Sequence, residues 1–418
     1  MAPVLLLFAA ILSATIALAQ GGHADAPPPL VAPPRDAAQL NDAVTKLARR
    51  LDAGETTLAF DAQRGFLPAV LRELHLPVSS QVLVFSKTSL QYLDISPQTP
   101  RALYFNDDVY AGFVPDGRLI ELSAVDPRTG PVFYTLTQSP GARPHLVTNA
   151  DCLQCHATAA TMSLPGYLVR SVFPRPDGQV APRVRSFLTD HRSPMEERWG
   201  GWYVSGTFSG DVHMGNAVLR SSEDEASFDR APGTNMKSVA SHFRSERYLS
   251  SESDVVALMV LEHQAHMHNL LAKLHYDASQ ALPLDGDVEE LLRYALFVDE
   301  APLKGPVAGT TTFAADFEQR GPKDPQGRSL RQFDLRTRMF RYPCSYLIYS
   351  DAFLSGPLDG AIGFNVEAPP IQPILAAITM PGHGEPHAEP MGYVGGVRLL
   401  LTLVRDGFRT KGPGGTVW

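Results

Sequence analysis

The sequence predicts an α+β chain, with a β-rich N-terminal part followed by a mainly helical C-terminal part. Two observations carry this. Between residues 81 and 208, short runs rich in Val, Phe and Tyr alternate with turn signals, as strands do. Beyond about residue 235, apolar residues recur at helical spacing, most clearly in VVALMVLEHQAHMHNLLAKLHY. The chain has 418 residues, long enough for two ordinary domains. Hydrophobic residues make up 44% and charged residues 19%, so a packed core is expected and disorder is not. A net charge of −8 argues against a nucleic-acid surface, which wants a basic stripe.

The elements follow in order. Val4 to Ala19 is an apolar run too short to span a bilayer comfortably, ending in the cleavage pattern Ala17-Leu18-Ala19. It predicts a signal peptide over 1–19 and a periplasmic or otherwise exported protein. The run lacks Lys or Arg before it, and an uncleaved anchor is the alternative. Residues 20–35 are a Pro-rich linker. An α+β domain is expected over 36–220. Asp36 can cap its first helix, Leu40, Val44, Leu47 and Leu51 share one face, and Gly54 ends it. A second helix is predicted over 68–75. Strands are predicted in VLVFSKTSLQYL, ALYFNDDVYAGFV, RLIEL, VFYTLTQ, YLVRSVF, VRSFLTD and WYVSGTF, with Pro-Asp-Gly turns at 115–117 and 176–178. The polar stretch SSEDEASFDRAPG marks the break before a mainly α-helical region, 221–418. There Asp254 caps the long helix, a second runs over 287–298, and Pro343 opens a third through Tyr349. Residues 301–330 and 380–390 read as loops. The apolar segments at 371–378 and 397–404 are short, and no membrane span is expected in the mature chain.

One motif interrupts the strands: Asp151-Cys152-Leu153-Gln154-Cys155-His156. C-x-x-C followed at once by His has the spacing of a c-type haem attachment site. Each thiol adds across one porphyrin vinyl group, and the histidine beside them ligates the iron. A zinc site would need further ligands at matching spacing, and the one other cysteine, Cys344, is distant and alone. A redox dithiol has no need of the histidine, and a disulfide here would close a very small loop. Through these residues the chain resembles the c-type cytochromes. The resemblance covers this short motif alone. It implies one covalent haem c, held by Cys152 and Cys155, with His156 as proximal iron ligand. The motif's setting among strands speaks against the common all-α cytochrome fold, although the motif itself should form a short helical turn.

The position opposite His156 decides the chemistry: Met or His closes the iron, and an open site admits a small ligand. His213 and Met214 are candidates by their distance downstream, and Met162 and Met195 are weaker ones. His263 is a third principal candidate, because it lies on the apolar stripe of the long helix. In Arg198-Trp199-Gly200-Gly201-Trp202-Tyr203 the aromatic residues could shield a porphyrin face and Arg198 could meet a propionate. Glu262 and His266 form an E-x-x-x-H on one helical face, and the absence of H-E-x-x-H and of a matching second Glu–His pair argues against zincin and di-iron sites.

Three functions are then open. The first is an exported monohaem c-type cytochrome domain protein that transfers electrons to or from a redox partner protein. The second is a haem-dependent oxidoreductase, or a gas or peroxide sensor, with an open distal site. The third is a secreted binding protein with an incidental C-x-x-C. Roughly 100 residues suffice to wrap one haem, so a chain of this length has room for a substrate pocket or docking face as well.

Overall fold

The computed structural model describes residues 38–182, 184–220 and 225–355. The expected signal peptide, the Pro-rich linker, the Asp36 cap, the segments 371–378 and 397–404 and the loop 380–390 lie outside the described residues.

Helix α1 spans Ala43–Asp52 and is capped by Asp42, whose carboxylate accepts from the Val44 and Thr45 amides at 2.9 and 3.0 Å. The same carboxylate accepts the Tyr134 hydroxyl at 2.6 Å, so the cap is also a tie to the sheet. Val44, Leu47 and Leu51 are buried, as their spacing predicts. Helix α2 covers Leu67–Glu73. A seven-stranded antiparallel sheet follows, built mainly from β1 (Val82–Val84), β2 (Arg101–Phe105), β3 (Val109–Phe113), β4 (Leu119–Asp126), β5 (Gly130–Thr137) and β6 (Leu146–Thr148). After β6 come a short helix, α3 (Leu153–His156), and the strand pair β7 (Arg170–Ser171) and β8 (Phe187–Leu188). The expected strand WYVSGTF divides. Its first half, β9 (Trp202–Tyr203), closes the large sheet against β1, and its second half, β10 (Thr207–Phe208), leaves it. The chain turns at Ser205, whose amide bonds to Ser253. The large sheet therefore runs β6-β5-β4-β3-β2-β1-β9.

Helix α4 spans Val255–Ser279 and is capped by Asp254, as predicted. Helix α5 is Asp285–Ala295. The stretch 301–330, expected as loop, holds strand β11 (Val307–Ala308), paired with β10, and helix α6 (Phe313–Gln319). Phe313 and Phe317, one turn apart, bury that helix despite the Gly and Pro around it. The helix expected from Pro343 starts later, as a 3₁₀ turn Tyr346–Tyr349 capped by the Ser345 hydroxyl. Helix α7, Asp351–Leu354, ends the described chain.

The sheet is buried on both faces. One face, with Leu83, Tyr104, Phe113 and Tyr134, packs on α1 and α2. The other, with Val82, Phe105, Tyr110 and Phe133, packs on α4 and on Phe313, Phe317 and Tyr346. This second core joins residues from both sides of position 220. Helix α4 crosses β5 so closely that a Cβ on Gly130, which has φ +74°, would lie 2.6 Å from the Ala272 methyl. That crossing explains why α4 is buried on nearly all sides and its apolar stripe blurs.

Candidate functional site

The motif sits just past the edge strand β6. Asn149 accepts from the Asp151 amide at 2.9 Å and caps a 3₁₀ turn, Ala150–Cys152, that runs directly into α3. Cys152, Cys155 and His156 are thus presented by one short helical segment, as the spacing implied. Cys152 is half-buried, Cys155 is exposed and both thiols are free. Cys152 and Leu153 pack against the core shared with α4.

His156 is held firmly. Its Nδ1 lies 2.8 Å from the Gly166 carbonyl, and its ring lies against Phe133 with centroids 4.6 Å apart. A carbonyl only accepts, so Nδ1 carries the proton and Nε2 keeps its lone pair. Burial holds the imidazole below its ordinary value, with the Gly166 carbonyl opposing. The carbonyl is itself anchored from α4. Asn269 accepts from the Tyr167 amide at 2.7 Å and donates to the Tyr167 carbonyl at 2.8 Å. Tyr167 also bonds Ser123 through its hydroxyl at 2.9 Å and packs on Tyr110 at 4.4 Å.

A charged pair shares this face of the sheet. Arg101 on β2 pairs with Glu121 on β4 across Gly112, where a Cβ would come within 2.6 Å of the guanidinium Nε. The Arg101 Nε is buried and has no hydrogen-bond partner. Both charges act on the motif. Burial, and then the Glu121 carboxylate, push the Cys152 thiol up to about 11. Among the described residues no three His, Cys, Asp or Glu side chains form a group that could hold a metal ion, so the two thiols and the imidazole do not converge on one point.

His213, Met214 and His263 each have partners of their own within the chain. His213 is buried between Trp199 and Phe208, its Nδ1 accepts from the Gly215 amide at 3.0 Å, and burial pushes it down to about 3. Met214 is buried with Phe173 and Phe228, and its sulfur accepts from the Ser171 hydroxyl at 3.5 Å. His263 has both ring nitrogens engaged, Nδ1 with His191 Nδ1 at 2.9 Å and Nε2 with the Ser345 hydroxyl at 2.8 Å. Met195 is core, and Met162 is half-buried against the same core as the motif. Arg198 does not wait for a propionate. It is buried and bonded to Glu262 at 3.1 Å, with its other donors on the Ser193 and His191 carbonyls. Glu262 and His266 part company, the first taking Thr189 and Arg198, the second Arg192.

Arg101, Glu121, Gly166, Asn269 and His191 escaped the sequence reading. Each acts through a partner at least ten residues away, and nothing local marks them. No known protein family, characterised protein or solved structure matches this chain.

Proposed function

We propose that the protein is an exported c-type cytochrome domain protein that carries one covalent haem c and exchanges single electrons with a redox partner protein. One observation carries the reading: two free thiols and an imidazole with its Nε2 left open by the Gly166 bond stand on a single helical segment. The attachment is a simple addition. Each S–H adds across a vinyl group, the C–S bond forms at one carbon, the proton goes to the other, and no electron is transferred. Bound haem c supplies a one-electron iron couple. The chain's own residues orient it. Gly166 fixes the His156 tautomer, as the second partner of a ligating histidine does. Asn269 fixes Gly166 through Tyr167. We assign Arg101, whose Nε lacks a partner, to a propionate.

The competing uses of C-x-x-C draw less support. A redox dithiol needs a depressed thiol, and Cys152 moves the other way. A bare metal ion needs convergent ligands, and among the described residues these three groups form no such set. The engagement of the His213 Nδ1, the Met214 sulfur and both His263 ring nitrogens favours a second reading of the same haem, in which small ligands bind at an open distal site. Export rests on the sequence of residues 1–19.

Full-length protein matured with a c-type assembly system should keep its haem through acid–acetone extraction. Cys152→Ala or Cys155→Ala should leave one thioether and a shifted pyridine haemochrome band, and the double variant should release the pigment. A colourless protein, or freely extracted haem, refutes the proposal. Carbon monoxide separates the two readings: a reduced spectrum that ignores it supports the closed carrier, and a shifted Soret band supports the open site.

A further inference from the structure

A cavity lies near the turn of the sheet's β2–β3 hairpin, where Asp107 meets Arg320. It has a volume of about 300 Å³ and is lined by Leu71, Arg72, His75, Leu76, Pro77, Asp316 and Arg320. Its lining comes from the end of α2 and from α6. Most of the lining is apolar, and its polar part is made by Arg72, Arg320, His75 and Asp316.

The charges there are not balanced. Arg72 is exposed and has no ion-pair partner among the described residues. Arg320 reaches only Asp107, at 3.6 Å, and its Nε is buried without a hydrogen-bond partner. Asp107 is shared, because Arg331 binds its other oxygen. The Arg320 guanidinium also rests on the Phe317 ring at 5.3 Å, which fixes its plane. Asp316, the one acid in the lining, accepts the hydroxyls of Ser79 and Thr312 on its Oδ2 at 2.6 and 2.8 Å, and two arginines outnumber it. The α2 carbonyls that would repel an anion are covered, since the Asn106 amide donates to the Leu74 carbonyl at 3.0 Å.

We infer that this cavity is a binding site for a small oxyanion, a carboxylate or phosphate group on a compact body, gripped by Arg72 and Arg320. The planar guanidinium of Arg320 is held on an aromatic ring with only a long contact to Asp107, and its terminal nitrogens suit a two-oxygen acceptor. His75 supplies a further donor at the rim, and Leu71, Leu76 and Pro77 accept the ligand's carbon skeleton. The site is separate from Cys152 and His156 and does not depend on haem.

The test is titration calorimetry on the full chain with inorganic phosphate and, separately, succinate, at low and at physiological ionic strength. Saturable one-site binding of either anion supports the site, and which anion binds identifies the class. Arg72→Glu reverses a charge on the surface and should abolish the heat without unfolding the protein. Arg320→Gln should weaken binding about tenfold or more, the loss expected for a charge-assisted hydrogen bond. Arg50→Gln, which removes an arginine paired with Glu73 outside the cavity lining, serves as control and should bind like the parent. No saturable heat from either anion overturns the inference, as does binding that Arg72→Glu leaves unchanged in a protein with native circular dichroism.

Discussion

Glu262 provides a test in which two physical effects pull in opposite directions. Its side chain is fully buried and touches Arg198 at 3.1 Å and the Thr189 hydroxyl at 2.6 Å. The arginine favours the carboxylate, and burial favours the acid. Burial wins, and Glu262 is raised from 4.5 to about 7. The folded state therefore holds this proton more tightly than the unfolded chain does. A shift of that size corresponds to about 3 kcal/mol. The sign follows: the contribution is fully present below pH 4.5 and is lost as pH rises through about 7. The perturbation is Glu262→Gln, which keeps the shape and removes the titration. Urea unfolding of parent and variant between pH 4 and 8 gives the difference in stability at each pH. Groups common to both proteins cancel, and the constant cost of leaving Arg198 without a carboxylate appears only as an offset. The parent should lose about 3 kcal/mol relative to the variant across this window, with the change flattening above pH 7. A flat difference would show that Glu262 titrates as in water. A difference that rises with pH would show that the Arg198 pairing outweighs burial, and the reasoning above would be wrong.

Two further outcomes follow from the packing. Asp254→Ala removes the cap of α4 and the acceptor of the Thr310 and Thr311 amides, all in buried surroundings, and should cost about 3 kcal/mol in urea unfolding; a loss below about 1 kcal/mol would mean that water replaces the carboxylate. Asn269→Leu leaves the Tyr167 amide and carbonyl unpaired and should cost about 2–3 kcal/mol; if the proposed haem is bound, it should also shift the reduction potential by loosening Gly166, and an unchanged potential would uncouple Asn269 from His156.

The sequence disclosed those parts of the fold whose causes are local. The α1 face, the Asp254 cap and strands β2 to β5 follow from spacing, capping chemistry and β-branched or aromatic runs. It failed where a contact from elsewhere decides. Asp42 caps α1 partly because Tyr134 reaches it, WYVSGTF breaks because Ser205 is claimed by Ser253, and α6 forms amid Gly and Pro because two phenylalanines are buried. The site divides in the same way. Cys152, Cys155 and His156 are legible as a candidate group because they are neighbours in sequence and stand on one short helical segment. Their supports are not, since Arg101, Gly166 and Asn269 meet them only after the sheet and α4 have assembled. Arg198 was misread for a related reason: its partner Glu262 lies 64 positions away.

The Asn269 clamp also has a consequence in time. Asn269 stands 102 positions after Tyr167, and chains emerge N-terminus first. At about 5–20 residues per second, the thiols precede their clamp by roughly 5–20 s. During that interval the Tyr167 amide and carbonyl lack their Asn269 partner, and the Gly166 carbonyl is not yet anchored. Once α4 arrives, Gly166 is pinned and the histidine is set. Helix α4 is thus the latch that closes last on the segment that carries Cys152, Cys155 and His156.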